Sequence, residues 1–485
     1  MEPGGGGGQD RLSALPDDVL VLILLRLDTT IAGRTSILSH RWRRIWALLP
    51  ELRFPADADL RLVASALAAH EAPISYLDVR SLDAVPESVE ACLALAAGRL
   101  SGSLVFQNRV SPGGNAGGGG DGGTLGFDLT CLHNATAVSL DLGLLGLAVP
   151  TTGVFARLTA LSLERVRFRS WWELGDAVSS PRCPCLQKLS VIYAHGLANL
   201  AIHSESLLQL KLKDLYGLQQ LTIVAQVLNE LDLGHCFGAP GGVVAHISTP
   251  QLVSLFWVDL HDSTSVQLGN WPRLQKLTSF IFVYGPHDSL LNHGFLRLLK
   301  QFQFIKNLHI RLVYLKQNIG NLHYALEDLT KLPCLTTLSI TVNNKGHAFG
   351  ASLFKVLRIC SDLRMLVLAL DDVSDSEVPY ACPSGCVCEQ PSDWKTEELT
   401  LNCLQGASID MEGSDHQVAF VKRLFTWAVA LKLMQINFDS SMSECKVMEL
   451  RQTLSSFAGP ETRVNFYMYE NEGVKFMGTR YLLAP

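Results

Sequence analysis

The sequence predicts an α/β chain in three parts: a small N-terminal helical bundle, a long solenoid of stacked strand repeats, and an α+β segment capping the last repeat. Three observations carry this. Leucine-anchored hexads recur in the middle of the chain, "LQKLSV" from Leu186, "LLQLKL" from Leu207, "LNELDL" from Leu228, "LVSLFW" from Leu252 and "LQKLTS" from Leu274, with spacings of 21, 21, 24 and 22. Short helical patterns fill residues 12 to 54, up to and just past Pro50. From about 394 to 470, strand and helix patterns alternate.

The N-terminal stretch "ALPDDVLVLILLRLD", residues 14 to 28, has seven consecutive apolar residues from Val19 to Leu25. A surface helix normally keeps one polar face, so a helix built from this run needs cover on two sides. A membrane span needs roughly 20 apolar residues, and this run is bracketed by Asp17, Asp18 and Arg26. The opening "MEPGGGGGQD" also lacks the basic n-region of a secretory signal. Pro16 followed by two acids marks a helix start, because proline's missing N–H costs nothing there and carboxylates suit the positive end of the helix. That helix is expected to end near Asp28. A second, from about Ile31, would carry Arg34, Ile37 and Leu38, and a third Trp42, Ile45 and Trp46.

Three short helices in so few residues can barely cover their own core. The residues Leu15-Pro16, Asp18-Val19-Leu20, Ile23-Leu24, Arg26-Leu27, Arg34-Thr35-Ser36, Leu38-Ser39, Arg41-Trp42-Arg43 and Trp46 resemble the F-box of plant F-box proteins. Gly33 and His40 depart mildly from that pattern, at positions where alanine and a basic residue are usual. The resemblance implies docking on a Skp-type adaptor, and through it on a cullin and a RING subunit of a ubiquitin ligase. It implies an adaptor-binding set of Leu15, Pro16, Val19, Leu20, Ile23, Leu24, Leu27, Leu38, Trp42 and Trp46. One side of the first helix would then pack within the bundle and the other would meet the adaptor. A self-contained bundle is the plainer alternative.

The 21- to 24-residue period is that of a leucine-rich repeat, in which each unit adds one strand and stacking buries a leucine ladder that no single unit could bury. Weaker copies are "AVSLDL" (137 to 142) and "LTALSL" (158 to 163). A second register, "LANLAI" from Leu197 and "LQQLTI" from Leu218, lies about halfway between the main copies. Half-turns of ten or eleven residues leave no room for a helix, so extended or 3₁₀ backbone is expected on the back. Later copies near Leu308, Leu335 and Leu363 stand about 28 residues apart, with helical patterns "LHYALEDLTKL" and "SLFKVLRIC" between them.

Strand residues between the leucines face the open surface, which makes Lys188, Lys211, Lys213, Glu230, Asp232, Phe256, Asp259 and Lys276 a candidate row for binding a target. Mixed charges with an aromatic suit a protein partner better than a phosphate backbone. For any one of them, a solvated position is the plainer reading.

Composition narrows the function classes. The chain has 485 residues, a formal net charge of -6 and a pI near 6.2, so no basic field favours nucleic acid or an anionic membrane. Twelve cysteines without a secretory signal read as reduced thiols of the cytoplasm and/or nucleus, which makes the sequon Asn134-Ala135-Thr136 irrelevant. Glycine-rich stretches at 4 to 8 and 111 to 123 read as a tail and a flexible loop; the second lacks the Gly-Lys-Ser/Thr ending of a phosphate-binding loop. No G-x-S-x-G, HExxH or dinucleotide fingerprint appears, so neither catalysis nor a cofactor is expected.

"CPSGCVCEQPSDW", residues 382 to 394, is the one place for metal chemistry: Cys382, Cys386 and Cys388, with Cys403 further on, could give zinc four thiolates. The paired CxxC knuckles are missing and no histidine is near in sequence, so ordinary thiols and no metal are the expectation. The following stretch, about 394 to 470, reads as strand ("WKTEELTLNC"), helix, strand, helix, strand. It resembles the FBD-type C-terminal region of many plant F-box proteins with leucine-rich repeats.

The expected layout is a tail at 1 to 9, the F-box at 10 to 55, a connecting region at 56 to 129, the leucine-rich solenoid at 130 to 380 and the FBD-like segment at 381 to 485. The expected role is recruitment of an unknown protein target for ubiquitination and degradation by a Skp-cullin-F-box ligase. The alternative is a repeat scaffold with no ligase role.

Overall fold

The computed structural model describes residues 14–111, 126–150, 152–169, 173–237, 243–259, 265–286, 289–316, 319–370, 382, 386–389, 392–470 and 473–480. The expected tail and most of the glycine-rich loop lie outside these residues. The chain divides into two compact units, residues 1–251 with 265–270, and residues 252–264 with 271–485.

The first unit opens with three helices, α1 (Asp17–Leu24), α2 (Thr29–Thr35) and α3 (His40–Ala47). Pro16 stands at the N-cap of α1 with Asp17 and Asp18 in its first turn. The helix ends at Leu24, four residues before the expected end, and a chain of turns carries the backbone on to Leu27. Asp28 belongs instead to α2, whose Ile31 N–H donates to its carboxylate at 2.8 Å. Because α2 stops at Thr35, Ile37 and Leu38 lie in the turn after it, not on a helix. Ser39 then caps α3, accepting from the Trp42 N–H. The Arg41 guanidinium on α3 bonds Asp17 at 2.7 Å and the Leu15 carbonyl, which ties the third helix to the start of the first.

A parallel ladder follows directly: Glu51–Arg53, Ile74–Leu82, Leu100–Arg109, Ala137–Asp141, Ala160–Phe168, Lys188–His195, Gln209–Tyr216 and Glu230–Gly234, each strand paired with the next. The stretch expected as a connecting region is therefore part of the ladder, and its first turns are backed by α4 (Leu60–Ala69) and α5 (Pro86–Ala97). The repeated hexads fall in register, so Leu189, Leu210 and Leu231 form one rung, and Val191, Leu212 and Leu233 the next. All six are buried, at roughly 1.5–3 kcal/mol for each side chain removed from water.

The half-register copies form a second parallel sheet of their own, Asn199–Ser204, Gln220–Ala225, Val244–Ser248 and Val266–Leu268. Extended backbone on the back of the turns is thus borne out. The helix α6 (Glu173–Val178) packs beside the first strand of this sheet.

The second unit carries its own parallel ladder: Ser254–Val258, Lys276–Phe282, Asn307–Val313, Thr337–Asn343, Met365–Leu370, Gly406–Met411, Leu433–Phe438 and Arg463–Glu470. Gly473–Arg480 closes the edge antiparallel to the last of these. The ladder leucines align again, with Leu255, Leu277, Leu308, Leu338 and Leu366 in one buried rung. Helices α7 (Leu290–Gln301), α8 (Gly350–Arg358), α9 (Asp415–Trp427) and α10 (Glu444–Ser455) back the turns.

Two expectations fail here. "LHYALEDLTKL" forms only a 3₁₀ turn at Ala325–Glu327, because His323–Tyr324 pairs antiparallel with Tyr284–Gly285; Leu326, Leu329 and Leu332 are buried from an irregular chain. "WKTEELTLNC" is not a strand: it runs from a 3₁₀ turn (Ser392–Lys395) into irregular backbone, and the strand starts at Gly406. The remaining helix, strand, helix, strand order appears as expected. No helix among the described residues is long and apolar enough to cross a membrane.

Candidate functional site

The first candidate surface is on the N-terminal bundle. Burial sorts the predicted adaptor-binding residues into two groups. Leu20, Leu24 and Trp46 point inward and form the core with Ala32 and Ile45, so they are not available to a partner. This corrects the sequence reading, which could not tell the two sides of an all-apolar helix apart. Leu15, Val19, Ile23 and Trp42 are half-buried, while Pro16, Leu27 and Leu38 are exposed. Reading by motif missed four exposed apolar residues: Leu22 (62% exposed), Ile31, Ile37 (81%) and Leu48. With Leu38 (70%) they leave a bundle of three short helices with a large apolar surface. The opening helix therefore does pack on one side and stay open on the other.

The second candidate surface is the open face of the first unit's ladder. A groove of about 550 Å³ runs over seven of its strands. Its floor is small, with Ser103, Ala137, Ser139, Ala160, Ser162 and Ser190, and Lys188, Lys211, Glu230 and Asp232 line one end. Four predicted row residues thus line one groove, and the small floor is the part the sequence reading did not single out. The charges are partly paired in place: Glu230 accepts from the Gln209 amide at 3.0 Å, and Lys213 lies 3.8 Å from Asp232.

In the second unit the row is weaker. Lys276 is exposed and Phe256 half-buried, with Phe256 level with Thr278 on the next strand. Asp259 is buried (3% exposed), against the expectation that it faces outward. The alternation breaks at the end of its strand, where Trp257 and Val258 are both buried, and the Trp257 indole N–H donates to the Asp259 carbonyl at 3.0 Å. Asp259 therefore leaves the target-binding set.

A third constellation was unexpected. Cys382, Cys386 and Cys388 converge on His347, and their ligand atoms all lie within 4.8 Å of one another. Cys403, grouped with them on sequence, is not part of this cluster. The sequence showed no histidine at ligand spacing, but a histidine 35 residues before Cys382 is brought to it by the fold.

Comparison with known proteins bears on the bundle first. Residues 12–54 match the F-box domain family. The N-terminal bundle is an F-box domain. Beyond the F-box, an FBD-associated F-box protein of Arabidopsis thaliana is 32% identical over 281 residues, 56% of this chain and 58% of the relative. A second FBD-associated F-box protein of that plant is 28% identical over 280 residues, 55% and 60% of the two chains. An F-box/FBD/LRR-repeat protein from the same species is 29% identical over 191 residues, 38% and 40%. The chain spans about half the length of the curated relatives it matches. The F-box, leucine-rich repeat and FBD assignments read from sequence thus agree with the names of these relatives.

Proposed function

We propose that this chain is a non-catalytic substrate adaptor of a Skp-cullin-F-box ubiquitin ligase. The observation that supports the reading most is the F-box itself, whose exposed Leu22, Ile31, Ile37 and Leu38 give a Skp-type adaptor an apolar surface to cover. F-box domains generally bind such adaptors, which link them to a cullin and a RING subunit. The serine-floored groove of the first unit, edged by Lys188, Lys211, Glu230 and Asp232, is then the surface offered to a protein target. Mixed charges around a small-residue floor fit a polypeptide better than a phosphate backbone.

The mechanism is proximity. A target held on the ladder and an F-box fixed on the ligase raise the local concentration of target lysines near the charged ubiquitin-conjugating enzyme, with no bond made by this chain. Degradation of the target, in cytoplasm or nucleus, follows on this reading.

The test is affinity purification of the full chain and of one lacking residues 12–54, from cells with the proteasome blocked. Adaptor and cullin are expected with the first only, and captured targets with both. A cullin retained without residues 12–54, or a ubiquitin thioester on this chain itself, would contradict the proposal.

A further inference from the structure

We propose that His347, Cys382, Cys386 and Cys388 form a structural zinc site. The spacing Cys-x3-Cys-x-Cys gives three sulfurs from one short segment, and the fourth ligand comes from the turn between the strand Thr337–Asn343 and α8.

Three of the six ligand-to-ligand distances lie near a tetrahedron's edges. Zinc bonds of about 2.3 Å to sulfur and 2.0–2.1 Å to nitrogen give edges of about 3.8 Å between sulfurs and about 3.6 Å between sulfur and nitrogen. Here Cys382 Sγ lies 3.5 Å from Cys388 Sγ and 3.2 Å from His347 Nδ1, and Cys386 Sγ lies 3.7 Å from that nitrogen.

The surroundings orient the ligands as zinc requires. His347 is 1% exposed, and its Nε2 lies 3.1 Å from the Leu315 carbonyl. An Nε2–H donated there leaves the Nδ1 lone pair facing the cysteines, the arrangement in which an outer-shell carbonyl fixes a ligand tautomer. Burial favours the neutral imidazole, which is the ligating form. The ring stacks on Tyr314 at 5.9 Å, and Asn344 closes the turn by donating its side-chain amide to the His347 carbonyl. The Ala348 N–H bonds Cys388 Sγ and so stabilises a thiolate there.

Burial and neighbouring thiols push Cys382 and Cys388 up. A divalent ion reverses that balance: three thiols each lose a proton to solvent, and three thiolates and one imidazole close the coordination shell. With four protein ligands no position stays open for substrate, so the site is structural and not catalytic.

Its place in the fold gives it a task. The adjacent strands Met365–Leu370 and Gly406–Met411 are far apart in sequence, and zinc would clamp Cys382, Cys386 and Cys388, which lie between them in the chain, to the turn leading into α8. Trp394 continues that attachment, because its ring lies where any Cβ at Gly350 would stand.

The test is metal analysis of the full chain, purified under reducing conditions and dialysed against metal-free buffer. About one equivalent of zinc per chain is expected, released by a mercurial thiol reagent. His347→Ala and Cys386→Ser should retain under about a tenth of that, while Cys403→Ser should retain all of it. Should either ligand variant fail to fold, cobalt exchanged into the unaltered chain decides: thiolate-to-cobalt charge-transfer absorption with tetrahedral d–d bands is expected. A folded chain with no bound metal and no such absorption, full zinc retention in folded His347→Ala, or a chain mass showing a disulfide among these cysteines would overturn the assignment.

Discussion

Leu210 and Leu231, 21 residues apart in sequence, stand directly opposite one another on adjacent parallel strands, and both are buried in the ladder. Leucine-to-alanine substitution at either should cost roughly 2–5 kcal/mol, the range for a cavity in a packed core. Lys188, exposed on the neighbouring strand, should tolerate alanine within about 0.5 kcal/mol. Denaturant titration of the three variants checks this; equal losses would mean that the ladder register is wrong.

Gly33 lies inside α2, where glycine costs backbone entropy without a conformational need. A Cβ there would meet Trp46 Nε1 at 3.5 Å, an ordinary contact. Gly33→Ala should therefore stabilise the bundle by about 0.5–1 kcal/mol. Thermal unfolding of the N-terminal bundle, followed by amide exchange in the full chain, reads the change, and a loss of protection would contradict it.

His416 gives the second unit a pH dependence. Its Nε2 accepts from the backbone N–H groups of Phe349 and Gly350 at 3.2 and 3.1 Å, capping α8, which has no side-chain cap from its own N-cap residue. Burial, with Lys395 nearby, lowers its pKa from the ordinary 6.5 to about 4. The folded state thus binds this proton less well than the unfolded state does. The stabilisation is complete above pH 6.5 and is lost as the pH falls towards 4. The full shift corresponds to at most roughly 3 kcal/mol, and less in practice because the ring is only partly buried. His416→Gln should flatten the difference in stability between pH 7 and pH 4.5, measured by denaturation at both values. An unchanged slope would exclude His416 as its source.

The repeat register was legible because a strand that buries every second residue writes its period into the leucines, and the half-register at Leu197 and Leu218 announced the second sheet in the same way. The F-box was legible as a local motif. What failed was decided by tertiary partners. Leu326, Leu329 and Leu332 have helical spacing but are buried by an irregular chain that Tyr324 pins to Tyr284. Alternation assigned Asp259 outward, yet its strand ends one residue earlier. Which side of α1 is free depended on where α3 packs, and no spacing within α1 encodes that. His347 and Cys382 are 35 residues apart, so their meeting follows from the stacking of turns and not from a motif.

The proposed docking sets the exposed apolar residues of the F-box against a Skp-type adaptor. Ile37 and Leu38 are 81% and 70% exposed, so charge there should leave the fold intact. An unpaired carboxylate in an apolar interface, by contrast, costs several kcal/mol. The direct measurement is adaptor affinity by titration calorimetry for the full chain and its Ile37→Asp/Leu38→Asp variant, with circular dichroism confirming that both are folded. The unaltered chain should bind, and the variant should lose at least about a hundredfold in affinity. Equal affinity in the two chains would contradict that docking.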